Sequence, residues 1–272
     1  MNNKLDFSRP LVVLAPLAGY TDLPFRSVVK KFGADLTISE MISSNALVYK
    51  SARTLKMIEK SPTEDPYFVQ IAGNSVDLVK AAVEILNDVE GIDGIDLNCG
   101  CPAPKVFNHG SGSNLLGDLK KLEEILSTVK KYSKKQYTSA KVRIGVNEKI
   151  PVEIGKAVEA CGVDFVSVHG RTRAGKYKAP VDYDAIKMMK EAVSIPVIAN
   201  GDIKDYDKAK EVLEYTKANG VMIGRGAIGK PWVFYQLKHG IEDISNEKKK
   251  EIILEHFDAM LKFHGPHGAI MF

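Results

Sequence analysis

The sequence is poor in cysteine, and this scarcity excludes one class of protein. Three cysteines in 272 residues are too few for the disulfide framework that stabilises small secreted domains. The first residues lack the pattern of a signal peptide, and no apolar run is long enough to span a bilayer. We therefore expect a cytoplasmic protein with free thiols and no membrane partner.

The sequence also has little excess charge of either sign. Its net charge of +4 permits an anionic partner without requiring one. Hydrophobic residues make up 44% of the chain, which supports a large core. The length suits one large α/β domain or two domains of ordinary size.

Eight short runs rich in β-branched residues recur along the chain. They read LVVLAP, ADLTISE, YFVQIAG, GIDLNCG, SAKVRIG, DFVSVHG, IPVIANG and GVMIGRG. Stretches with helical periodicity, such as SVDLVKAAVEILNDV, lie between most of them. This alternation predicts parallel strands joined by helices, and eight even units predict a (β/α)8 TIM barrel. A doubly wound sheet is the competing fold, but no G-x-G-x-x-G turn follows the first run.

The residues that end these runs are polar, mixed in charge and rich in glycine near the last two runs. In barrels of this kind the active site lies at the C-terminal ends of the strands. The strand ends hold Pro16, Leu17, Ala18 and Gly19; Glu40; Gln70; Asn98 and Cys101; Lys141 and Arg143; His169 and Arg171; Asn200, Gly201 and Asp202; and Gly224 and Arg225. The set indicates an active site.

Glycines at the last two strand ends, Gly201, Gly224 and Gly226, favour a phosphate site, because backbone amides ahead of a helix bind anions. Simple tight turns are the alternative. An amide, an ammonium and an imidazole from Gln70, Lys141 and His169 suit a flat heterocycle, so the mouth predicts flavin mononucleotide, FMN. His169 could instead be an ordinary core residue, and Lys141 could form a Schiff base.

The thiol of Cys101 requires a separate explanation. Cys99, Cys101 and His109 do not have a recognised zinc spacing, so we predict no metal. A nucleophile would need a neighbouring base, which the sequence does not identify. A proton donor needs only a protonated thiol held over the reacting atom, and Cys101, fixed by Pro102, suits that role.

With these residues assembled, the sequence resembles the tRNA-dihydrouridine synthases from about Leu11 to Trp232. The resemblance rests on the motifs APLAGYTDLPFR, SEM, VQIAG, DLNCGCPAPKV with GSGSNLL, KVRIG, VHGRTRAGKY, IANGDI and GVMIGRGAIGKPW, in this order. It implies an FMN enzyme that reduces the C5–C6 double bond of uridine in tRNA with NADPH. Hydride would pass from flavin N5 to C6, and Cys101 would give a proton to C5.

The resemblance also implies roles for individual residues. Asn98 would contact the uracil, and Arg171, Arg173 and Lys176 are candidates for the tRNA backbone. The flavin contacts by motif match are Pro16, Leu17, Ala18, Gln70, Lys141, His169, Asn200, Gly201, Asp202, Gly224 and Arg225.

The family pattern further implies two domains. Residues 1–238 would form the catalytic barrel, and residues 239–272 would begin a helical tRNA-binding domain that is shortened here. Residues 246–263 predict its first helix, with Ile252, Ile253, Phe257 and Leu261 on one face. We expect a monomer.

Three other functions remain open at this stage. A flavin barrel could act on a free pyrimidine, a lyase could form a Schiff base on Lys141, and a tRNA-binding protein could lack turnover. RNA-dependent turnover, borohydride trapping and the effect of Cys101→Ala would separate them.

Overall fold

The computed structural model describes residues 4–240 and 243–271. Within these residues all strand pairs are parallel and belong to one sheet. The strands are β1 (Leu11–Leu14), β2 (Thr37–Ile38), β3 (Ile42–Ser43), β4 (Tyr67–Ala72), β5 (Gly94–Cys99), β6 (Tyr137–Arg143), β7 (Phe165–His169), β8 (Val197–Asn200) and β9 (Gly220–Ile223).

Helices alternate with the strands. They are α1 (Leu23–Lys31), α2 (Ser44–Val48), α3 (Ala52–Met57), α4 (Val76–Asn87), α5 (Pro104–Phe107), α6 (Leu119–Tyr132), α7 (Pro151–Ala160), α8 (Tyr183–Ala192), α9 (Tyr206–Thr216), α10 (Val233–His239) and α11 (Asn246–Met271). Short 3-10 turns occupy Gly112–Gly117 and Arg225–Ala227.

The two edges of the sheet meet, so the sheet forms a barrel. The strand order runs β1-β9-β8-β7-β6-β5-β4-β2. The short strands β2 and β3 both pair with β4, one after the other, so together they occupy the second strand position of the barrel. A parallel bridge joins Val13 to Leu36, and the Leu14 amide donates to the Leu36 carbonyl at 3.1 Å. The TIM barrel predicted from the alternation is confirmed.

The inward-facing side chains of the strands form an apolar floor inside the barrel and, nearer the C-terminal ends of the strands, a polar mouth. Phe68, Phe165, Ile198 and Met222 belong to one buried cluster that fills the interior. Gly94 lies opposite Phe68 in the register, and a Cβ at Gly94 would lie 2.5 Å from the Phe68 ring. Two residues further along these inward-facing rows, the side chains become polar, as alternation requires.

Local capping signals explain where the helices begin. The side chains of Asp118, Asp182 and Asp205 accept hydrogen bonds from amides three residues ahead, at 2.8 to 3.1 Å. Such caps satisfy amides that a helix leaves unpaired. The helices predicted between strands therefore appear within a few residues of their expected bounds.

The last helix, α11, packs against the barrel through apolar contacts and through polar pairs, among them His264 Nε2 and Asp22 Oδ2 at 2.6 Å. Ile252 is buried against Val28 and Trp232, whereas Ile253 and Phe257 are 60% and 48% exposed. Ile252, Ile253 and Phe257 nevertheless line one groove beside Trp232, so the predicted residues border one surface, although only Ile252 of these three is buried. The backbone kinks at Gly265, just before Pro266.

The domain boundary predicted near residue 239 falls at the end of α10 and stays a prediction. Among residues 4–240 and 243–271, none of the helices combines the length and the hydropathy needed to cross a bilayer.

Candidate active site

The centre of the barrel mouth is a buried polar network on three neighbouring strands. The register places Asp96 of β5 between Gln70 of β4 and Ser139 of β6. Gln70 Nε2 donates to Asp96 Oδ2 at 2.7 Å, and Ser139 Oγ donates to Asp96 Oδ1 at 2.6 Å. Burial raises the pKa of Asp96 to about 6, although both hydrogen bonds act to lower it. The carboxylate is therefore mostly ionised at neutral pH.

Asn98 links this network to the cysteine loop. Its Nδ2 donates to Gln70 Oε1 at 2.8 Å, and its Oδ1 accepts from the amides of Gly100 and Cys101 at 3.1 and 2.9 Å. Ser113 Oγ donates to the Cys101 carbonyl at 2.8 Å. Both the amide and the carbonyl of Cys101 are therefore hydrogen-bonded, which fixes the backbone from which its thiol projects.

The two neighbouring thiols differ in environment. Cys101 is partly exposed at the mouth, whereas Cys99 is buried. Burial raises the pKa of the Cys99 thiol well above its ordinary value, so Cys99 is an inert packing residue. This difference leaves Cys101 as the thiol that a bound substrate can reach.

Lys141 and Asn200 form the next part of the mouth. The Lys141 ammonium donates to Asn200 Oδ1 at 3.1 Å, and Asn200 Nδ2 donates to the Met222 carbonyl at 2.7 Å. The second bond fixes which end of the amide faces Lys141. Desolvation, together with repulsion from Arg143, lowers the pKa of Lys141 to about 8.

His169 is a neutral imidazole in this setting. Burial lowers its pKa to about 2, with added repulsion from Lys141, Arg143 and Arg171. Its Nε2 lies 3.3 Å from Arg171 Nη1. A neutral ring beside these cations can donate or accept one hydrogen bond without adding charge.

An ion cluster lies at the ends of β7, β8 and β9. Arg171 is 4% exposed, and its Nη2 lies 2.5 Å from Asp202 Oδ2. Arg225 Nη2 lies 2.9 Å from Asp202 Oδ1. The hydrogen bond from Arg171 is the main reason that the pKa of Asp202 is lowered. This placement favours Arg171 as a support for Asp202 over Arg171 as a contact for tRNA.

The loop after β7 carries the two other predicted tRNA contacts. The Arg173 guanidinium stacks on the Phe107 ring at 3.9 Å, and Lys176 is exposed. Arg143 donates from Nη1 to the carbonyls of Thr172 and Lys176, and from Nε to the carbonyl of Gly100. Arg143 therefore joins this loop to the cysteine loop.

The loops after β1 and β8 complete the rim. The Leu17 amide donates to Thr21 Oγ1 at 2.8 Å, which fixes the segment formed by Pro16, Leu17 and Ala18. Gly201 has a φ of +133°, and a Cβ there would lie 2.8 Å from Val181. Only glycine suits this position, where the chain turns closely past its neighbour.

The structure brings the predicted residues to one end of the barrel, at or just after the ends of the strands. Their roles toward flavin and RNA stay predictions. Sequence reasoning assigned no role to Asp96 or Arg143. Asp96 had one usable signal, since it lies two residues before Asn98 and so shares its inward face.

Among residues 4–240 and 243–271, no group of three or more histidines, cysteines and carboxylates could hold a metal ion.

Comparison with solved structures supports the fold. An old yellow enzyme homologue from Zymomonas mobilis aligns over 89% of this chain and 91% of its own, with a TM-score of 0.57 and 12% identity. A morphinone reductase mutant in complex with tetrahydroNAD aligns over 88% of this chain and 89% of its own, with a TM-score of 0.62 and 11% identity. At this identity the likeness shows the barrel alone.

Comparison of sequences shows the family. The model of the family described as dihydrouridine synthase (Dus) matches residues 13–270. A probable tRNA-dihydrouridine synthase of Helicobacter pylori strain 26695 is 53% identical, covering 98% of this chain and 82% of that protein. The tRNA-dihydrouridine synthase B of Vibrio parahaemolyticus is 40% identical over 94% of this chain and 81% of that protein. The predicted family is thereby confirmed, and this chain belongs to the dihydrouridine synthases.

Proposed function

We propose that the chain reduces the C5–C6 double bond of uridine in tRNA, with Cys101 as the proton donor to C5. The observation that carries this proposal is the position of Cys101, partly exposed at the mouth and held by Asn98 on a fixed loop. The names of its relatives support tRNA as the substrate. A tRNA substrate also fits the cytoplasmic location that the cysteine content predicts.

The donor set of the mouth suits FMN. Gln70, Lys141, His169 and Asn200 offer an amide, an ammonium, an imidazole and a second amide around one space, and this mixture matches the polar edge of an isoalloxazine ring. FMN, reduced by NADPH, would supply the hydride for C6 of the uracil.

The rim would hold the remaining parts of the cofactor. Arg225, with the loops at Gly201 and Gly224, would hold the phosphate, because an arginine and backbone amides favour an anion. Asp202 contributes through its ion pairs, which hold Arg225 in place. The segment Pro16, Leu17 and Ala18 would border the ring.

Cys101 suits proton donation better than nucleophilic attack. Among the described residues, no histidine or carboxylate hydrogen-bonds to its sulfur, so the base that an activated nucleophile needs is not paired with it. Asn98 has a second amide N–H beyond the one given to Gln70, and that group is free to meet a carbonyl of the uracil. Thiol and amide would then bind one base from the same loop.

The substrate must bring its base out of the RNA fold. A uridine stacked inside tRNA cannot reach the floor of a barrel mouth, so it must be extruded, with loss of stacking. Arg173 and Lys176 border the mouth and would contact the phosphates on either side. Their cationic heads supply affinity without reading the base.

Reduction with NADPH in an anaerobic cuvette tests the proposal. We would load the protein with FMN, bleach it with NADPH, and add either tRNA lacking dihydrouridine or free uridine. We expect the flavin absorbance to return with tRNA alone. An equal return with free uridine would favour the free-pyrimidine alternative, and failure to bind FMN would contradict the proposal.

A further inference from the structure

The hydrogen bonds at the centre of the mouth all run in one direction. Donors of Gly100 and Cys101 point at Asn98 Oδ1, the Asn98 amide donates to Gln70, and Gln70 donates to Asp96. Asn98 and Gln70 each place an acceptor on one side and a donor on the other. The chain of bonds therefore starts at the cysteine loop and ends at a carboxylate.

The two ends of this chain of bonds require the same direction, because the backbone amides of Gly100 and Cys101 can only donate and a carboxylate at the other end can only accept. An ionised Asp96 can only accept, so Gln70 must turn its NH2 group toward it. A reversed Gln70 would place Oε1 against the carboxylate and turn its NH2 group toward the NH2 group of Asn98. Asn98 would then reverse and present donors to two backbone amides.

Asp96 is well placed to anchor this order. Asp96 is fully buried, so it does not touch a substrate itself. Its second oxygen accepts a hydrogen bond from Ser139. In a dry interior, reversing one member would leave buried donors without acceptors, and that carries a large penalty.

We propose that Asp96 is a positioning residue for the cysteine loop. It anchors the acceptor end of the chain, holds the amides of Gln70 and Asn98 in the orientation that the backbone of Gly100 and Cys101 also requires, and so keeps that backbone in place. The inference rests on the proposed function only for its purpose, which is to place the Cys101 thiol over the base. The hydrogen-bond order itself stands on the geometry.

Alkylation of the three cysteines tests this role without tRNA, NADPH or turnover. Iodoacetamide would modify the FMN-loaded protein, and peptide mass spectrometry would give the rate at each cysteine. Cys99 and Cys161 are buried, so they report any general loosening. Rates taken between about pH 7 and 10 would separate a change in thiolate fraction from a change in access.

Four variants distinguish positioning from simple stability. Asp96→Leu removes the terminal acceptor. Gln70→Leu interrupts the chain of bonds while keeping Asp96 and serves if the first variant does not fold; because Gln70 also borders the flavin, its rates are compared at equal FMN occupancy, measured by absorbance. Asp96→Asn can keep an oxygen toward Gln70 and an amide toward Ser139. Ser139→Ala removes the other bond to Asp96 and leaves the path to Cys101 whole.

We expect alkylation of Cys101 to become about fivefold faster or more in Asp96→Leu and Gln70→Leu, since a buried unpaired group opens the loop. Asp96→Asn should remain within about twofold of the unmodified protein, and Ser139→Ala, which unpairs only the far oxygen of Asp96, should raise the rate less than either leucine variant does. Unchanged rates in both leucine variants would overturn the proposal. So would an equal rise at all three cysteines, or Asp96→Asn reacting as fast as Asp96→Leu.

A second readout separates this inference from the function. If the function holds, Asp96→Leu should slow the tRNA-dependent return of flavin absorbance more than the bleaching by NADPH. A protein that never turns over tRNA would contradict the proposed function, and the alkylation result would still decide the role of Asp96.

Discussion

The centre of the mouth and the tail helix α11 differ in how far burial accompanies their polar contacts. At the mouth, the polar groups of Gln70, Asp96 and Asn98 face one another in fixed pairs with almost no exposure to solvent. On α11, Ile252 alone of two adjacent isoleucines is buried, and its neighbour faces solvent. α11 also forms polar pairs with the barrel, such as His264 Nε2 with Asp22 Oδ2 at 2.6 Å, so its docking combines apolar contact with bonds, whereas the centre of the mouth depends on buried directional bonds. Substitutions should therefore change chemistry at the mouth and stability at the tail.

The largest effect should come from Lys141 at the mouth. Lys141→Met removes a charged donor from the space where FMN would bind, so affinity for FMN should fall about hundredfold. Fluorescence titration of the flavin-free protein would measure this. Lys121, an exposed lysine paired with Glu124 on α6, offers the matched control Lys121→Met, which should bind FMN normally. Equal affinity for the two variants would contradict the assignment of Lys141.

A pair of substitutions on α11 tests the tail. Ile252→Ala should lower the free energy of unfolding by about 2 kcal/mol, because a buried side chain loses its contacts with Val28 and Trp232. Ile253→Ala should change it by less than about 0.5 kcal/mol, since the side chain already faces solvent. Urea unfolding of both variants would give the values. A similar loss in both would show that a further surface covers α11.

The free energy of unfolding of the flavin-free protein should depend on pH through Lys141. The folded protein releases the Lys141 proton near pH 8, whereas an unfolded chain keeps it until about pH 10.5. The unfolded state therefore binds more protons in that interval, and this group makes the flavin-free protein more stable as the pH rises through it. With allowance for its partial exposure, the gain should be about 1–2 kcal/mol.

Lys141→Met supplies the reference for this pH dependence. The variant should be more stable than the unmodified protein near pH 7.5, and the difference should narrow toward about pH 10.5. Paired unfolding curves at the two pH values would measure it. A difference that does not depend on pH would mean that Lys141 is not desolvated.

The smallest effect should come from the exposed rim. Lys176→Ala should weaken tRNA binding about threefold and lower the slope of log affinity against log salt by about 0.7–0.9, as expected for one lost phosphate contact. Arg171→Ala should leave the salt slope unchanged and weaken FMN binding instead, because Arg171 supports Asp202. A salt slope lowered by Arg171→Ala would restore Arg171 as a tRNA contact.

Much of the barrel could be predicted from the sequence, because each strand and helix carries its own local pattern. The alternation of runs predicted the parallel order, and the strand ends pointed to the mouth. Asp96 received no role, because its partners Gln70 and Ser139 are 26 and 43 residues away in the chain. Its place two residues before Asn98 indicates an inward side chain, but nothing in its own strand identifies those partners.

The environments of Arg171 and of the α11 side chains were also hard to predict from the sequence, because they depend on distant residues. The burial of Arg171 depends on Asp202, 31 residues further along, and its neighbours in HGRTR suggest an exposed loop. On α11 the helical period groups several apolar residues, but contact with Val28 and Trp232 decides which of them is buried. Periodicity predicts an element, and only tertiary contacts choose among its faces.

The most direct test of the central claim is a single-turnover experiment on Cys101→Ala. The variant would be loaded with FMN, reduced by NADPH without oxygen, and mixed with tRNA lacking dihydrouridine. We expect bleaching by NADPH at the rate of the unmodified protein, followed by a return of absorbance that is about a hundredfold slower or more, because the proton donor is missing. A return at the unmodified rate would contradict Cys101 as the proton donor.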